Sequence, residues 1–215
     1  TGLYKTVNGG TTWSLVWPPP LAPVLPVNPH LGVGVADTMT GVRHVRLDPR
    51  NSAIVYASAW NNGIYRSAPS LEGGDASYKQ VYAIVGLRQF QDLAMFDLAV
   101  KDGRTRMYVY NGTQATATQG LYRVDNTEVA ASALVTGGTN TSAWLSLSSS
   151  TSSQPGSTSQ GICSSQCFYD LVVAVPDGQP DTVIIGGVQH PTFGEPTLRS
   201  TNAGVSFSAH GRDAQ

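Results

Sequence analysis

The sequence predicts an all-β protein assembled from repeated four-stranded antiparallel units. Helical periodicity is almost absent, and short runs rich in β-branched residues are punctuated by Gly, Asn, Asp and Pro. Charged residues make up 13% of the 215, about half the usual share, while glycine contributes 23, a composition suited to turns. A unit of two apolar strands and a shorter strand ending in a basic residue recurs along the chain.

The elements follow in order. GLYKT (2–6) matches the third strand of a unit whose first two strands are missing, so residues 1–16 read as half a unit. Residues 17–39 open with WPPPLAPVLP and form a proline-rich arm or linker, extended and excluded from a central strand. Residues 40–91 carry VRHVRL, AIVYASAW and GIYRS as one unit, and residues 92–144 carry MFDLAV, RMYVYNG and GLYRV as the next. A Ser/Thr-rich loop with a cysteine pair fills 145–166. The last unit, 167–215, carries YDLVVAV, TVIIGGV and TLRS. Tyr4, Tyr65, Tyr122 and Leu198 align at intervals of 61, 57 and 76 residues, a spacing suited to propeller blades with loops of unequal length.

The turn after the third strand has its own chemistry. In KTVNGGTTW, Asn8 closes an Asx-type turn on backbone amides, Gly10 takes the positive φ this closure needs, and Trp13 packs over the result. Thr6, Asn8, Gly10, Thr12 and Trp13 recur as Ser200, Asn202, Gly204, Ser206 and Phe207. This pattern resembles the Asp box of BNR-repeat β-propellers, with Asn where that family usually has Asp. Two units depart from it: Tyr78 lies 11 residues after Ser67, and Trp144 lies 20 after Val124, so those turns have grown into loops. The resemblance implies an all-β propeller of which about three and a half blades are present, completed by further chain or by a protein partner.

Function is less legible. Net charge is −1 and no basic cluster forms, which argues against nucleic acid. No apolar run reaches the length of a membrane-spanning helix. His30, His44, His190 and His210 show no ligand spacing, so neither metal nor cofactor is expected. Cys163 and Cys167 are either a short disulfide, favoured in an oxidising compartment, or two free thiols. NGT (111–113) and NTS (140–142) are glycosylation sequons. By resemblance, a sialidase needs an arginine cluster and acidic partners. Arg43, Arg46, Arg88 and Arg199 show no sign of converging, and Glu72, Glu128 and Glu195 fall in loops. Arg199 recurs with Lys5, Arg66 and Arg123 at one blade position, which favours a structural role. An endoglucanase-type site would draw on Asp92, Asp97 and Asp170, of which Asp97 and Asp170 read as equivalent in FDLAV and YDLVV. The expectation is a non-catalytic scaffold binding protein or glycan, extracellular, at the cell surface or periplasmic. A fragment of a glycoside hydrolase is the alternative.

Overall fold

A computed structural model describes residues 2–17, 41–67, 78–86, 92–148, 159–188 and 196–210. Most of the proline-rich arm and residues 149–158 of the Ser/Thr-rich segment lie outside the described residues. Strand accounts for 44% and helix for 8%, so the chain is all-β.

The first sheet pairs β1 (Leu3–Lys5) with β2 (Ser14–Trp17). The second runs β3 (Val42–Leu47), β4 (Val55–Ala59), β5 (Gly63–Arg66) and β6 (Lys79–Tyr82), each antiparallel to the last. The third begins with β7 (Leu93–Lys101), β8 (Arg104–Gly112) and β9 (Gly120–Val124). An insertion follows, with a one-turn helix α1 (Ala131–Leu134) and a hairpin of β10 (Val135–Thr136) and β11 (Thr139–Asn140). β12 (Leu145–Ser146) then completes the third sheet against β9, so the segment read as loop from 145 opens with a strand. A second helical turn, α2 (Cys167–Asp170), leads into the fourth sheet. That sheet orders β13 (Val172–Ala174), β14 (Val183–Gly186), β15 (Thr197–Ser200) and β16 (Ser208–Ala209).

Sheet order in space follows sheet order in sequence. β8 explains why: every residue from Thr105 to Gly112 is buried, because the third sheet is covered on both faces. Met107 and Val109 join Phe96 and Ala94 against Tyr56, Ile64 and Tyr82 of the second sheet. Tyr108 and Tyr110 join Met95 and Leu121 against Val173, Val183, Ile185 and Leu198 of the fourth. Trp17 and Leu3 of the first sheet meet Val42, Ala59 and Tyr65 of the second. A fully buried side chain of this size contributes about 2 kcal/mol relative to exposure. The buried tyrosines also find acceptors, as the hydroxyl group requires. Tyr110 Oη donates to Ser159 O at 2.9 Å, Tyr108 Oη to Pro180 O at 2.8 Å, and Tyr56 Oη to Asp48 Oδ2 at 3.1 Å.

Two contacts repeat at the joints between sheets. A third-strand arginine reaches the turn after the third strand of the next sheet: Arg66 Nη1 donates to Thr127 O, and Arg123 Nη1 donates to Ala203 O at 2.7 Å. An aromatic ring just before a fourth strand packs toward the sheet before. Tyr78 lies 6.0 Å from Trp17 between ring centroids, and Trp144 lies 4.9 Å from Tyr82 while donating to Val81 O at 3.0 Å. Phe207 packs into the cluster that holds Leu121 and Leu147. The long insertion of the third sheet therefore replaces a compact turn and still brings its ring, Trp144, to the same place.

Both sequon asparagines hold backbone instead of facing solvent. Asn111 is fully buried; it accepts from Val85 N at 3.0 Å and donates to Val85 O at 3.0 Å. Asn140 makes the same pair of bonds to Ala83, at 2.7 and 2.8 Å.

Candidate functional site

β3, β7 and β13 are the end strands of their sheets, and β7 packs against both of the others. Their residues build a common inner edge. Asp97, at mid-strand in β7, joins all three. Its Oδ1 accepts from Arg46 Nε of β3 at 3.0 Å and from Leu98 N at 3.0 Å. Its Oδ2 accepts from Val175 N, just beyond β13, at 2.8 Å. A carboxylate that receives a guanidinium and two backbone amides acts here as a cross-brace.

Arg43, the second residue of β3, is exposed and donates from Nη2 to Tyr169 O at 3.4 Å. Tyr169 and Phe168 lie on α2, edge to face at 4.5 Å, and Phe168 lies 6.4 Å from Trp60 at the β4–β5 turn. Tyr169 is 52% exposed. The inner edge thus ends in three rings and a guanidinium drawn from the second and fourth sheets.

The Cys163–Cys167 disulfide holds the base of α2. Both cysteines are buried, and Gln119 Nε2 reaches from the third sheet to Ser164 O and, at 2.7 Å, to Thr113 O. The disulfide removes the free-thiol reading.

Two polar atoms here are buried without a partner among the described residues: His44 Nε2 and Asp170 Oδ1. A third such atom, Arg123 Nε, faces Asp125 Oδ1 at 3.0 Å. Burial lowers the His44 pKa from its ordinary value, helped by Arg46 beside it, and the ring packs edge-on to Phe96 at 5.1 Å. Burial raises the pKa of Asp170.

The structure separates the residues the sequence had grouped. Asp97 is mid-strand, whereas Asp170 ends a helical turn before β13, so the shared FDLAV and YDLVV letters do not mark one position. The physical cause is the disulfide-pinned turn, which displaces the first residues of that segment from the strand. Asp92 is buried and accepts from Gln114 N at 3.0 Å, serving loop geometry. Glu128 pairs with Arg50, which holds its carboxyl below the usual range. Glu72, Glu195, Arg88, His30 and His190 lie outside the described residues. Arg43 and Arg46 share β3, while Arg199 sits on β15.

The two Asn turns share a set of side-chain hydrogen bonds, and the first adds two more, from Thr11 Oγ1 to Asn8 O at 3.0 Å and from Trp13 Nε1 to Gly10 O at 3.1 Å. Thr6 Oγ1 donates to Asn8 Oδ1 at 3.0 Å and accepts from Gly10 N at 3.0 Å; Ser200 Oγ makes both bonds at 2.9 Å. Asn8 Oδ1 accepts from Thr12 N at 3.0 Å while its Nδ2 donates to Thr12 Oγ1 at 2.9 Å; Asn202 does the same to Ser206, both at 2.9 Å. Sequence reasoning missed Trp60, Phe168 and Tyr169 as one group, because they come from a turn and a helical turn more than a hundred residues apart with no shared spacing. Among the described residues no cluster of His, Cys, Asp and Glu has metal-binding geometry. No helix of the described residues is long and apolar enough to cross a membrane. An open cavity of about 450 Å³ lies beside Ile84, Tyr122, Asn140 and Trp144, whose Asn and Trp polar groups already serve backbone. A scan against protein-family models finds no match, and a search of curated proteins finds none either.

Proposed function

We propose that the chain is part of a BNR-type β-propeller acting as a non-catalytic binding module outside the cell or in the periplasm. It presents the Arg43, Trp60, Phe168 and Tyr169 surface to a protein or glycan, and further blades or a protein partner complete it. The observation that carries this reading is the state of Asp97. Its two oxygens are occupied by Arg46, Leu98 and Val175, so this candidate carboxylate serves as a brace. An exposed tyrosine and two half-buried rings beside a guanidinium are the kinds of side chain that dominate binding hot spots. The disulfide supports an oxidising compartment.

The test is binding to an array of glycans and to extracellular protein extracts fractionated by affinity. Arg43→Ala and Tyr169→Ala each weaken retention of any bound ligand at least tenfold, about 1.4 kcal/mol, while Asp170→Asn leaves it intact. Binding that survives both of the first two variants overturns the reading.

A glycoside hydrolase is the second reading, and Asp170 favours it. A half-buried carboxyl with one oxygen out of solvent and its pKa raised by burial has the property of a general acid. It also needs a partner carboxyl at about 5 to 9.5 Å. Release of reducing ends from β-glucans or sialosides that disappears in Asp170→Asn would establish this alternative in place of the first.

A further inference from the structure

Residues 168–171 carry the letters of one structure and adopt another. FYDLVV (168–173) repeats the pattern of MFDLAV (95–100), which is strand throughout in β7. β7 starts four residues before Asp97, whereas β13 starts two residues after Asp170. The turn that stands in for the missing strand has little of its own to hold it. α2 is a single helical turn, too short to offset the cost of helix nucleation, and no side chain caps it at Gln166. Tyr169 N and Asp170 N reach Gln166 O at 3.2 and 3.4 Å, at and beyond the long end for such bonds. Asp170 Oδ1 is buried without a partner among the described residues. Local preference and local structure disagree here, which in a consistent sequence marks a functional site.

The fourth sheet has a place for the strand. Leu171 is already extended, with φ −73° and ψ 127°. The register that pairs Val172 with Gly186 would set Leu171 against Gly187 and Asp170 against Val188. Gly187 N donates to Pro196 O on the β15 side, so alternation turns the Val188 backbone toward the position Asp170 would take. Val188 is 41% exposed. The segment that carries the first cysteine lies over this end of the sheet. A Cβ on Gly187 would come within 2.6 Å of Ile162 O and 3.0 Å of Cys163 Cα. One covalent bond, Cys163–Cys167, ties that segment to α2.

We propose that this disulfide is a maturation switch. With both cysteines as thiols, residues 168–171 extend β13 along β14; oxidation draws them into α2 and creates the ring surface. In the extended arrangement Tyr169 and Leu171 share the face of Val173, and Phe168 takes the opposite face. Phe168 and Tyr169 then no longer meet, and Tyr169 O leaves Arg43. The chemistry is thiol–disulfide exchange with an oxidoreductase of the export compartment. One cysteine thiolate attacks the oxidoreductase disulfide, the second cysteine resolves the mixed disulfide, and the oxidoreductase leaves as its dithiol with two electrons and two protons. The inference deepens the binding-module reading and rests on it: the surface is absent while the chain is reduced and forms where disulfides form.

The reduced state is made in two ways, as Cys163→Ser/Cys167→Ser and by treating the folded wild type with a phosphine reductant. Nuclear magnetic resonance then reads residues 166–171. In both reduced forms a cross-strand contact between Asp170 and Val188 appears and the contact between Phe168 and Trp60 disappears, while the amides of β8 keep their shifts. Returning the phosphine-treated chain to an oxidised dithiol oxidoreductase restores the first spectrum. Unchanged α2 signals in both reduced forms overturn the switch, as do residues 166–171 without order, or global unfolding of both forms. Retention on the glycan array falls at least tenfold in the reduced chain. A glycan bound equally by both forms overturns the switch and leaves the module standing. An oxidised chain that binds nothing, with the strand extension present on reduction, supports the switch and counts only against the module.

Discussion

The turns at Thr6–Trp13 and Ser200–Phe207 share one set of hydrogen bonds and differ in what lies beyond it. Gly10 and Gly204 have φ of +93° and +83°, and the residues before them, Gly9 and Ala203, have +66° and +59°. A Cβ added at Gly10 would come no nearer than 3.9 Å to Trp13, its closest neighbour. One added at Gly204 would lie 2.7 Å from Leu147 and 2.8 Å from Leu121 of the third sheet. Ala203 is held from both sides, its carbonyl by Arg123 and its amide by Asp181 O at 2.7 Å. Trp13 is largely exposed, while Phe207 packs into the core between two sheets. The polar letters therefore specify the shape of the turn, and the sheet it docks on supplies most of its stability.

The largest contrast is expected at the glycines. Gly204→Ala adds overpacking of about 1–3 kcal/mol to backbone strain of about 1–2 kcal/mol, whereas Gly10→Ala meets only the strain. Urea unfolding of the two variants reads the difference directly, and equal losses would break the comparison. Next come the rings. Phe207→Ala costs about 2–3 kcal/mol because it opens a cavity, and Trp13→Ala stays within about 0.5 kcal/mol of wild type at dilute concentration. The asparagines follow with the smallest contrast of the three pairs: both are exposed, so Asn202→Ala and Asn8→Ala each cost about 1 kcal/mol.

Acid gives the smallest and most selective effect. Lys101 and then Arg106 hold the Asp181 carboxyl below its ordinary range, and the Asp181 backbone anchors Ala203. A depressed carboxyl contributes stability at neutral pH that is lost as pH falls through its folded pKa. Lowering the pH below about 4 should loosen the second turn before the rest of its sheet and leave the first turn unchanged. Amide chemical shifts of Gly204 and Gly10 along a pH titration would show this, and coincident shifts would contradict it.

Much of the fold was legible because strands carry their burial in their letters. VRHVRL corresponds to β3 residue for residue, and RMYVYNG lies within β8, whose unbroken apolar run reflects cover on both faces. The Asn turns were legible because their partners lie within four residues. The joints were not: Arg66 to Thr127 and Arg123 to Ala203 span 61 and 80 residues. The candidate site was least legible of all. Asp170 reads like a strand aspartate, and only the disulfide turn around it moves it off the strand. Asp97 reads as a channel carboxylate, and only Arg46 and the Val175 amide show it to be a brace.

Native-state hydrogen exchange of four amides tests the central claim most directly. The amides of Gly10, Thr12, Gly204 and Ser206 all donate to side-chain oxygens within their own turns. In dilute solution, Gly204 and Ser206 should exchange with protection near that of β8, and Gly10 and Thr12 orders of magnitude faster, at the rate of local opening. Equal protection in the two turns would mean that the bonds within them suffice, and that docking on a neighbouring sheet does not stabilise them.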